Sequence, residues 1–583
     1  MDYVANTTRD RLEYLRQQLE TERASFMNHW RELGDYILPR RPRFASNDVN
    51  KGDKKNQKIV DSTATFASRT ARSGMMSGIT SPARRWFRLA TRDKDIVEDE
   101  EVKAWLYTVT EKMNAIFEKS NLYGSLPIVY GDIITFATSA MMVLEDFENV
   151  IHTKHFPIGS YVCSANDRGI VDVFGRTFRM TVRNVVNQFA RDGEDYNWEN
   201  ISSMVKEAYE SGRFEDWVEI QHFIMPNDMY DPDKEDSASK KFVSIYYEVG
   251  SGSTGPGGNY MTGLDSDKIL RRMGYDIFPV LVPRWEVNSE DSYGTDCPGM
   301  QVLGDIKQLQ LQQKRKMQAI EKMVNPSMIG PAHLRNSAVT LQPGGITFVD
   351  VRDAANTFRP AHEVRLSIRE LMEDMQMTRE RIRHGFFENL FLALSTSDRR
   401  EMTAREVEER HEEKMWALGP VLQRLNQDFL TPLIDLTFEY MLRQGLVPPP
   451  PRALLERAGE PLKVEYVSVM AEAQKLVNLK AVERFMQLAG NTAAINPQAL
   501  DKMDADQLMD VYAELTGIPP GIVRPDEMVE EIRQERAKQQ QAQQKMEQLQ
   551  QAGAMAKDMG SAAQSISQAG GDGAAISEAL GGA

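Results

Sequence analysis

The chain has 583 residues, 41% of them hydrophobic and 27% charged, with a formal net charge of −15; at ~150 residues per domain this is material for roughly four domain-sized pieces with sizeable cores. The excess of acid excludes a protein that grips DNA firmly by its surface, since neutralising phosphates takes a basic face, but it is compatible with a weak, sliding relation to a duplex. Two cysteines, Cys163 and Cys297, exclude a disulfide scaffold and lack zinc-site spacing; no apolar run reaches the ~18 residues of a membrane span, and the start, with Asp2, lacks a signal-peptide pattern, so a reducing, intracellular compartment is expected.

Leu12, Leu15, Leu19, Phe26, Trp30, Leu33 and Ile37 recur at steps of three and four and predict an amphipathic helix over 8–38, stopped by Pro39. Next comes a basic stretch (Arg40, Arg41, Arg43, Lys51, Lys54, Lys55, Lys58), either a solvated loop or a patch for a phosphate or an acidic partner. Residues 61–79 are small and helical in flavour, and Arg84-Arg85-Trp86-Phe87 reads as a strand with basic flanks. The acidic run from Asp93 to Glu101 opens a helix with Val102, Trp105, Val109, Met113 and Ile116 on one face, where acids suit the helix dipole. Another helix is expected over 121–138, then a buried strand over 141–144.

From 150 to 300 the period changes to that of strands. Ile170 to Met180 reads as a strand pair around Arg176, and Val218, Ile220, His222 and Ile224 alternate as in a half-buried strand, with His222 a packed residue rather than a ligand. Strands are also expected from Phe242 to Val249 and from Phe278 to Trp285, with a surface loop in the glycine-rich 250–258.

Residues 303–324 predict a helix with only a thin apolar stripe, Leu303, Ile306, Met317, Ile320 and Val324, among Gln308, Gln310, Gln312, Gln313, Lys314, Arg315 and Lys316. So polar a helix is exposed or packed against other copies of itself. A short β-rich insertion follows over 326–362, with Pro343-Gly344-Gly345 as its turn. A second long helix carries Val364, Ile368, Leu371, Met375, Ile382, Phe386 and Leu390, so that helix, small β module and helix suggest a projecting stalk. Leu394 to Arg400 is a polar loop; Thr403-Ala404-Arg405-Glu406 is a capping box opening a helix that Gly419-Pro420 and Pro432 kink. A strand over 464–469, helices over 470–488 and 501–515, a Gln-rich helix over 526–556 and a Gly-, Ala- and Ser-rich tail complete the chain.

Enzyme signatures are missing. No Gly-Lys dipeptide exists, hence no phosphate-cradling Walker loop; His411-Glu412-Glu413 lacks a zinc-peptidase partner His, and Gly74 to Gly78 is out of register for a nucleophile elbow. No catalytic residue, metal ligand or cofactor is therefore assigned. The 31 methionines fit ordinary helix packing or adaptable subunit contacts.

Three stretches belong together: Phe278-Pro279-Val280-Leu281-Val282-Pro283-Arg284-Trp285, running through Tyr293-Gly294 and Cys297-Pro298-Gly299-Met300 into the polar helix; Glu401-Met402-Thr403-Ala404-Arg405-Glu406-Val407, with Glu413 and Leu418-Gly419-Pro420; and the β pair around Arg176. In combination and order they resemble the head-to-tail connector, or portal, family of short-tailed bacteriophages, over roughly 8–520. The resemblance implies an α+β, predominantly helical subunit with a wing over 1–300, a first stem helix over 301–325, a clip over 326–362, a second stem helix over 363–393, a tunnel loop over 394–402, a kinked wing helix over 403–460, a crown over 461–525 and a C-terminal helical barrel and disordered tail over 526–583.

It further implies a dodecameric ring with a central channel at one capsid vertex, through which double-stranded DNA is packaged and ejected, without catalysis and without a cofactor. Its implied partners are terminase, capsid and scaffolding proteins, tail adaptors and the DNA itself, with no membrane; its place is the virion, after assembly in the host cytoplasm. The channel candidates are Lys314, Lys316 and Lys322 in the stem, equally readable as inter-subunit salt-bridge partners, and Thr396, Ser397, Asp398, Arg399 and Arg400 in the loop. His333, Arg335 and Asn336 of the clip are the candidate contacts for terminase and tail. A closed ring repeats one heterologous interface, which accounts for stem helices too polar to stand alone, and its multiplied negative charge lets a duplex slide. The competing readings are another virion component, such as a tail tube or internal core protein, and a metal-dependent nuclease.

Overall fold

In the computed structural model the first apolar stripe forms α1 (Thr8–Tyr36), with Leu12, Leu19, Trp30 and Leu33 buried. The structure describes residues 8–46, 52–83, 85–91, 99–193, 195–234, 236–249, 268–288, 291–326, 328–329, 359–360, 368–391, 419–455, 463–466, 482–491, 505–516, 528–543 and 545–546. They divide into a larger unit, Met1–Arg92, Trp105–Pro450 and Arg457–Glu472, and a smaller one, Asp93–Ala104, Pro451–Glu456 and Ala473–Ala583.

In the larger unit α2 (Thr63–Ile79) runs unbroken through Gly74, which is needed there because a Cβ would lie 2.3 Å from the Phe391 side chain. β1 (Phe87–Ala90) follows, then α3 (Glu100–Lys119), which belongs to this unit from Trp105 on, and Trp86, Phe87 and Phe117 pack together. α4 (Leu122–Phe136) packs on α2 and leads into the hairpin of β2 (Ala140–Asp146) and β3 (Val150–Phe156). β4 (Tyr161–Ala165) then pairs with β5 (Val171–Thr181).

The expected strand pair at 170–180 is one continuous strand. Gly175 does not turn; it lies flat between β4 and the strand Trp217–Pro226, where a Cβ would meet the Phe223 ring at 2.3 Å. α5 (Val182–Phe189) is capped by the Thr181 hydroxyl, which accepts from the Asn184 amide; a small hairpin of β6 (Arg191–Asp192) and β7 (Asp195–Tyr196) precedes α6 (Ser203–Glu210), capped likewise by Ser202. β8 (Trp217–Pro226), β9 (Phe242–Glu248) and β10 (Arg271–Tyr275) complete an antiparallel sheet of order β10-β9-β8-β5-β4.

That sheet is covered on both faces. Val218 and Ile220 pack with Val182, Val185, Val186 and Val205 of α5 and α6, while Phe223, Val243, Ile245 and Tyr247 pack with Leu12 and Leu19 of α1. β8 is therefore buried on two faces rather than half-buried, and its alternation of apolar and polar residues marks a second covered face where the polar partners are satisfied internally. His222 is wholly buried there, stacked on Tyr246 at 3.9 Å, with Nε2 2.9 Å from the Ser244 hydroxyl.

The run from Phe278 to Trp285 forms only the short β11 (Val280–Leu281), joined to β2, with a bridge at Arg284. Pro279 and Pro283 flank it, and each lacks the N–H a longer ladder needs. α7 (Pro298–Gln301) and α8 (Leu303–Val324) follow, then β12 (Met328–Ile329), β13 (Arg359–Pro360) and α9 (Ile368–Gly385).

Pro432 interrupts its helix as expected, in the form of a π-helical turn (Asn426–Leu430) leading into α10 (Thr431–Arg443). Pro432 cannot donate to the carbonyl of Asp428 four residues back, and a wider turn relieves the clash of its ring there. β14 (Lys463–Tyr466) pairs with β1. In the smaller unit α11 (Arg452–Leu455) and α12 (Ala505–Thr516) are helical, as are 482–491 and 528–543, with Arg533 donating two bonds to Asp506 at 2.6 and 2.8 Å. The fold is thus a helix-rich α+β arrangement. The expected loop at 250–258, the turn at 343–345 and the capping box at 403–406 lie outside the described residues.

Candidate functional site

α8 and α9 run side by side and antiparallel. Arg381 reaches Asp305 at 3.1 Å, and the Gln312 amide donates to Asp374. Past the end of α8, Met328 pairs with Pro360 and Ile329 with Arg359. The inner ends are rooted: Leu303, Ile306, Leu309, Met375, Ile382 and Phe386 are buried. The outer ends are not, and Met317, Ile320, Met323, Val324 and Met372 are exposed. The thin apolar stripe therefore splits into a half that joins the body and a half without cover among the described residues.

The glutamines also divide. Gln310, expected on an exposed polar surface, is buried: its Oε1 accepts from the Val60 and Asp61 amides at 2.7 and 2.8 Å, and its Nε2 donates to the Asp61 carbonyl at 2.7 Å. A primary amide supplies both an acceptor and a donor, which is what an open backbone segment needs. The same segment is tied to α9, because Arg379 donates from Nε and Nη2 to Asp61 Oδ2 at 3.1 and 2.9 Å. Burial alone would raise the Asp61 carboxyl, but the bonds from Thr63 and Arg379 bring it below the usual carboxylate range. Lys307 adds an ion pair with Glu32 of α1 at 2.6 Å. Sequence reasoning missed these links, since their partners stand hundreds of positions apart and nothing local marks them.

Lys314, Lys316 and Lys322 of α8 do not share a face. At ~100° per residue Lys314 and Lys322 project within about 80° of each other, and Lys316 points about 160° from Lys314. Lys314 and Lys322 are exposed, with Arg315 on the same side. Lys316 is half-buried on the side that meets α9, where the register of Asp305 with Arg381 and Gln312 with Asp374 continues to Glu370. Among the described residues none of the three is in an ion pair within 4.0 Å. Thr396, Ser397, Asp398, Arg399 and Arg400 of the loop, and His333, Arg335 and Asn336 of the clip, lie outside the described residues.

Where the Asp61 segment meets the end of α9 there is a cleft of about 270 Å³, lined by Val60, Thr63, Phe66, Arg383 and Glu388. The basic stretch after α1 is partly consumed by pairing: Lys58 meets Asp35 at 2.7 Å, and Arg41 stands 3.8 Å from Asp132, whose other oxygen holds His155 at 2.7 Å. Arg72 joins this group, where burial and the like charges of Arg41 and Arg69 weaken its hold on its proton. Both thiols, Cys163 and Cys297, are buried and pushed up to about 12 by that burial, which leaves them unreactive. No helix among the described residues is long and apolar enough to cross a membrane.

A helix-rich α+β body with a rooted antiparallel helix pair is the class of subunit defined here, and the sequence pattern of the bacteriophage head to tail connecting proteins matches residues 9–523. The chain belongs to this family. It is 46% identical over 543 residues to the portal protein of Salmonella phage epsilon15, covering 93% of this chain and 94% of that one. It is 40% identical over 544 residues, with the same coverage, to the probable portal protein of Bordetella phage BPP-1.

Proposed function

We propose that copies of this chain close into a ring at one capsid vertex, dodecameric as the resemblance implies, with a central channel through which double-stranded DNA is packaged and later ejected. The observation that carries this reading is the α8/α9 pair, fixed at its root by Gln310 and Arg379 yet leaving Met317, Ile320 and Val324 in water at its outer end. Such a surface is stable when neighbouring copies cover it. In this reading 1–300 is the wing, 301–325 and 363–393 the stem, 326–362 the clip, 394–402 the tunnel loop, 403–460 the returning wing helix, 461–525 the crown and 526–583 the C-terminal barrel and tail.

The role is structural. Lys314 and Lys322 face the bore and balance, at phosphate height, the repulsion from a wall built of chains that each carry −15. Lys316 is assigned to the α8/α9 seam instead. Arg399 and Arg400, with Thr396, Ser397 and Asp398, line the bore from the loop, while His333, Arg335 and Asn336 meet terminase during packaging and the tail adaptor afterwards. Capsid and scaffolding proteins are the remaining partners, and assembly takes place in the host cytoplasm.

Electron microscopy of the purified full-length protein tests this directly. Rings with a stain-filled hole are expected, and a population that stays monomeric at micromolar concentration would refute the reading.

A further inference from the structure

The tip of the β2–β3 hairpin holds Phe147 90% exposed, in a sequence Glu145-Asp146-Phe147-Glu148-Asn149 that is otherwise acidic and polar. The tip is built rather than loose. Asp146 accepts from the Glu148 amide at 3.3 Å and from the Asn149 side chain at 3.2 Å, and Val150 takes a φ of 68°, which a β-branched residue adopts only where its surroundings force it. An aromatic ring held outward on a braced turn has the form of an anchor that fills a pocket elsewhere.

This chain also carries a matching pocket. The cleft of about 270 Å³ beside α2 exceeds the ~150 Å³ that houses a benzene ring. Val60 and Phe66 are exposed at its rim; its two carboxylates are each paired, Asp61 with Arg379 at 2.9 Å and Glu388 with Arg383 at 3.5 Å, and Arg69 lies over the Phe66 ring at 5.4 Å with Arg72 one helical turn on. Arg72 has Arg41 and Arg69 as like-charged neighbours and Asp132, already 3.8 Å from Arg41, as its nearby carboxylate, so this side has positive charge to spare while the hairpin tip has negative.

One copy cannot bring the two together. Phe147 stands out from the hairpin turn, and from Val150 to His155, which is bonded to Asp132 beside Arg41, β3 runs five residues of extended strand, about 17 Å at ~3.3 Å per residue. Complementary features that one copy holds apart are what a heterologous, head-to-tail contact requires.

We propose that Phe147 of each copy inserts into the Val60–Phe66 cleft of the next copy, with Glu148 meeting Arg69 across the rim. This rests on the ring reading above and adds the wing-level contact that sets the spacing of neighbours.

The test places a photo-crosslinking phenylalanine analogue at position 147 of the full-length chain and maps the inter-copy products by mass spectrometry. Crosslinks into residues 60–72 or around Arg383 are expected. Phe147→Ser should raise the dissociation constant between copies about tenfold or more, as truncating an anchor does. Glu148→Arg should weaken assembly, and Glu148→Arg combined with Arg69→Glu should restore it; circular dichroism confirms that each variant is folded. If the wild type forms rings but the crosslinks fall elsewhere, or Phe147→Ser assembles normally, this contact is wrong and the ring stands. If the wild type forms no closed assembly, both are wrong.

Discussion

Arg284 lies in the run from Phe278 to Trp285 that carries much of the family resemblance, and its side chain is sealed in the interior at 2% exposure. Nε donates to Asp428 at 3.1 Å, Nη2 to the Gly169 carbonyl at 2.6 Å and Nη1 to the Asp291 carbonyl at 3.4 Å. One guanidinium thus ties the β4–β5 turn, the segment after β11 and the π turn before α10. Burial pushes the Asp428 carboxyl up, against the pull of Arg284. Arg284→Ala would strand that carboxyl and two carbonyls, at a cost of about 3–5 kcal/mol in denaturant unfolding; replacing both partners, Arg284→Met with Asp428→Leu, should recover most of it. His222 gives a second test. Burial, then the positive charges of Arg176 and Lys154, hold its folded value well below the ordinary 6.5. The unfolded chain therefore takes up the proton first, and stability present above pH 6.5 is lost as pH falls below it, with a slope of up to about 1.4 kcal/mol per pH unit. Melting curves between about pH 7.5 and pH 5 should show this slope in the wild type and a shallower one in His222→Gln; equal slopes would remove His222 from the account.

Among the elements, those legible in the sequence were the ones whose signal is periodic and local. The stripe from Leu12 to Ile37 specified α1, and the spacing of Leu303 and Ile306 against Asn325-Pro326 specified α8. What failed was anything decided by a distant neighbour. Gly175 has the look of a turn, yet it is a strand residue because Phe223 occupies the space of its missing side chain; Gly175→Ala should cost about 1–3 kcal/mol by overpacking, readable as a lowered melting temperature. Gln310 has the look of solvated helix surface, yet it closes the Val60–Asp61 backbone onto α8. Gln310→Leu should leave the partly buried Val60 and Asp61 amides without their acceptor and destabilise the root of the α8/α9 pair by roughly 1–3 kcal/mol, whereas Gln310→Glu keeps an acceptor and should cost less. An equal loss in both variants would show that the clamp does not depend on Oε1. The lysines of α8 illustrate the same limit: their spacing is visible in the sequence, but only the position of α9 shows which of Lys314, Lys316 and Lys322 faces it.

At the scale of the whole molecule, the question within the proposed ring is whether the segment 394–402 serves the bore or the interface between copies. Helix α9 ends at Gly385, where a Cβ would strike Val302 at 2.2 Å, and Phe387 reverses the chain with a φ of 56° while stacking on Trp285. Leu390 and Phe391 are buried, Phe391 against Gly74 of α2, so the chain is anchored through residue 391 by contacts that do not involve 395–400. Removing 395–400 therefore spares every packed residue on this side of the loop, and the protein should fold and close as the wild type does. Its effect should fall on DNA alone: rings of normal size by electron microscopy, with capsids that package poorly or lose their genome in a complementation assay. If the shortened chain no longer closes, the loop belongs to the contact between copies, and the polar residues Thr396 to Arg400 act on a neighbouring subunit instead of on phosphate.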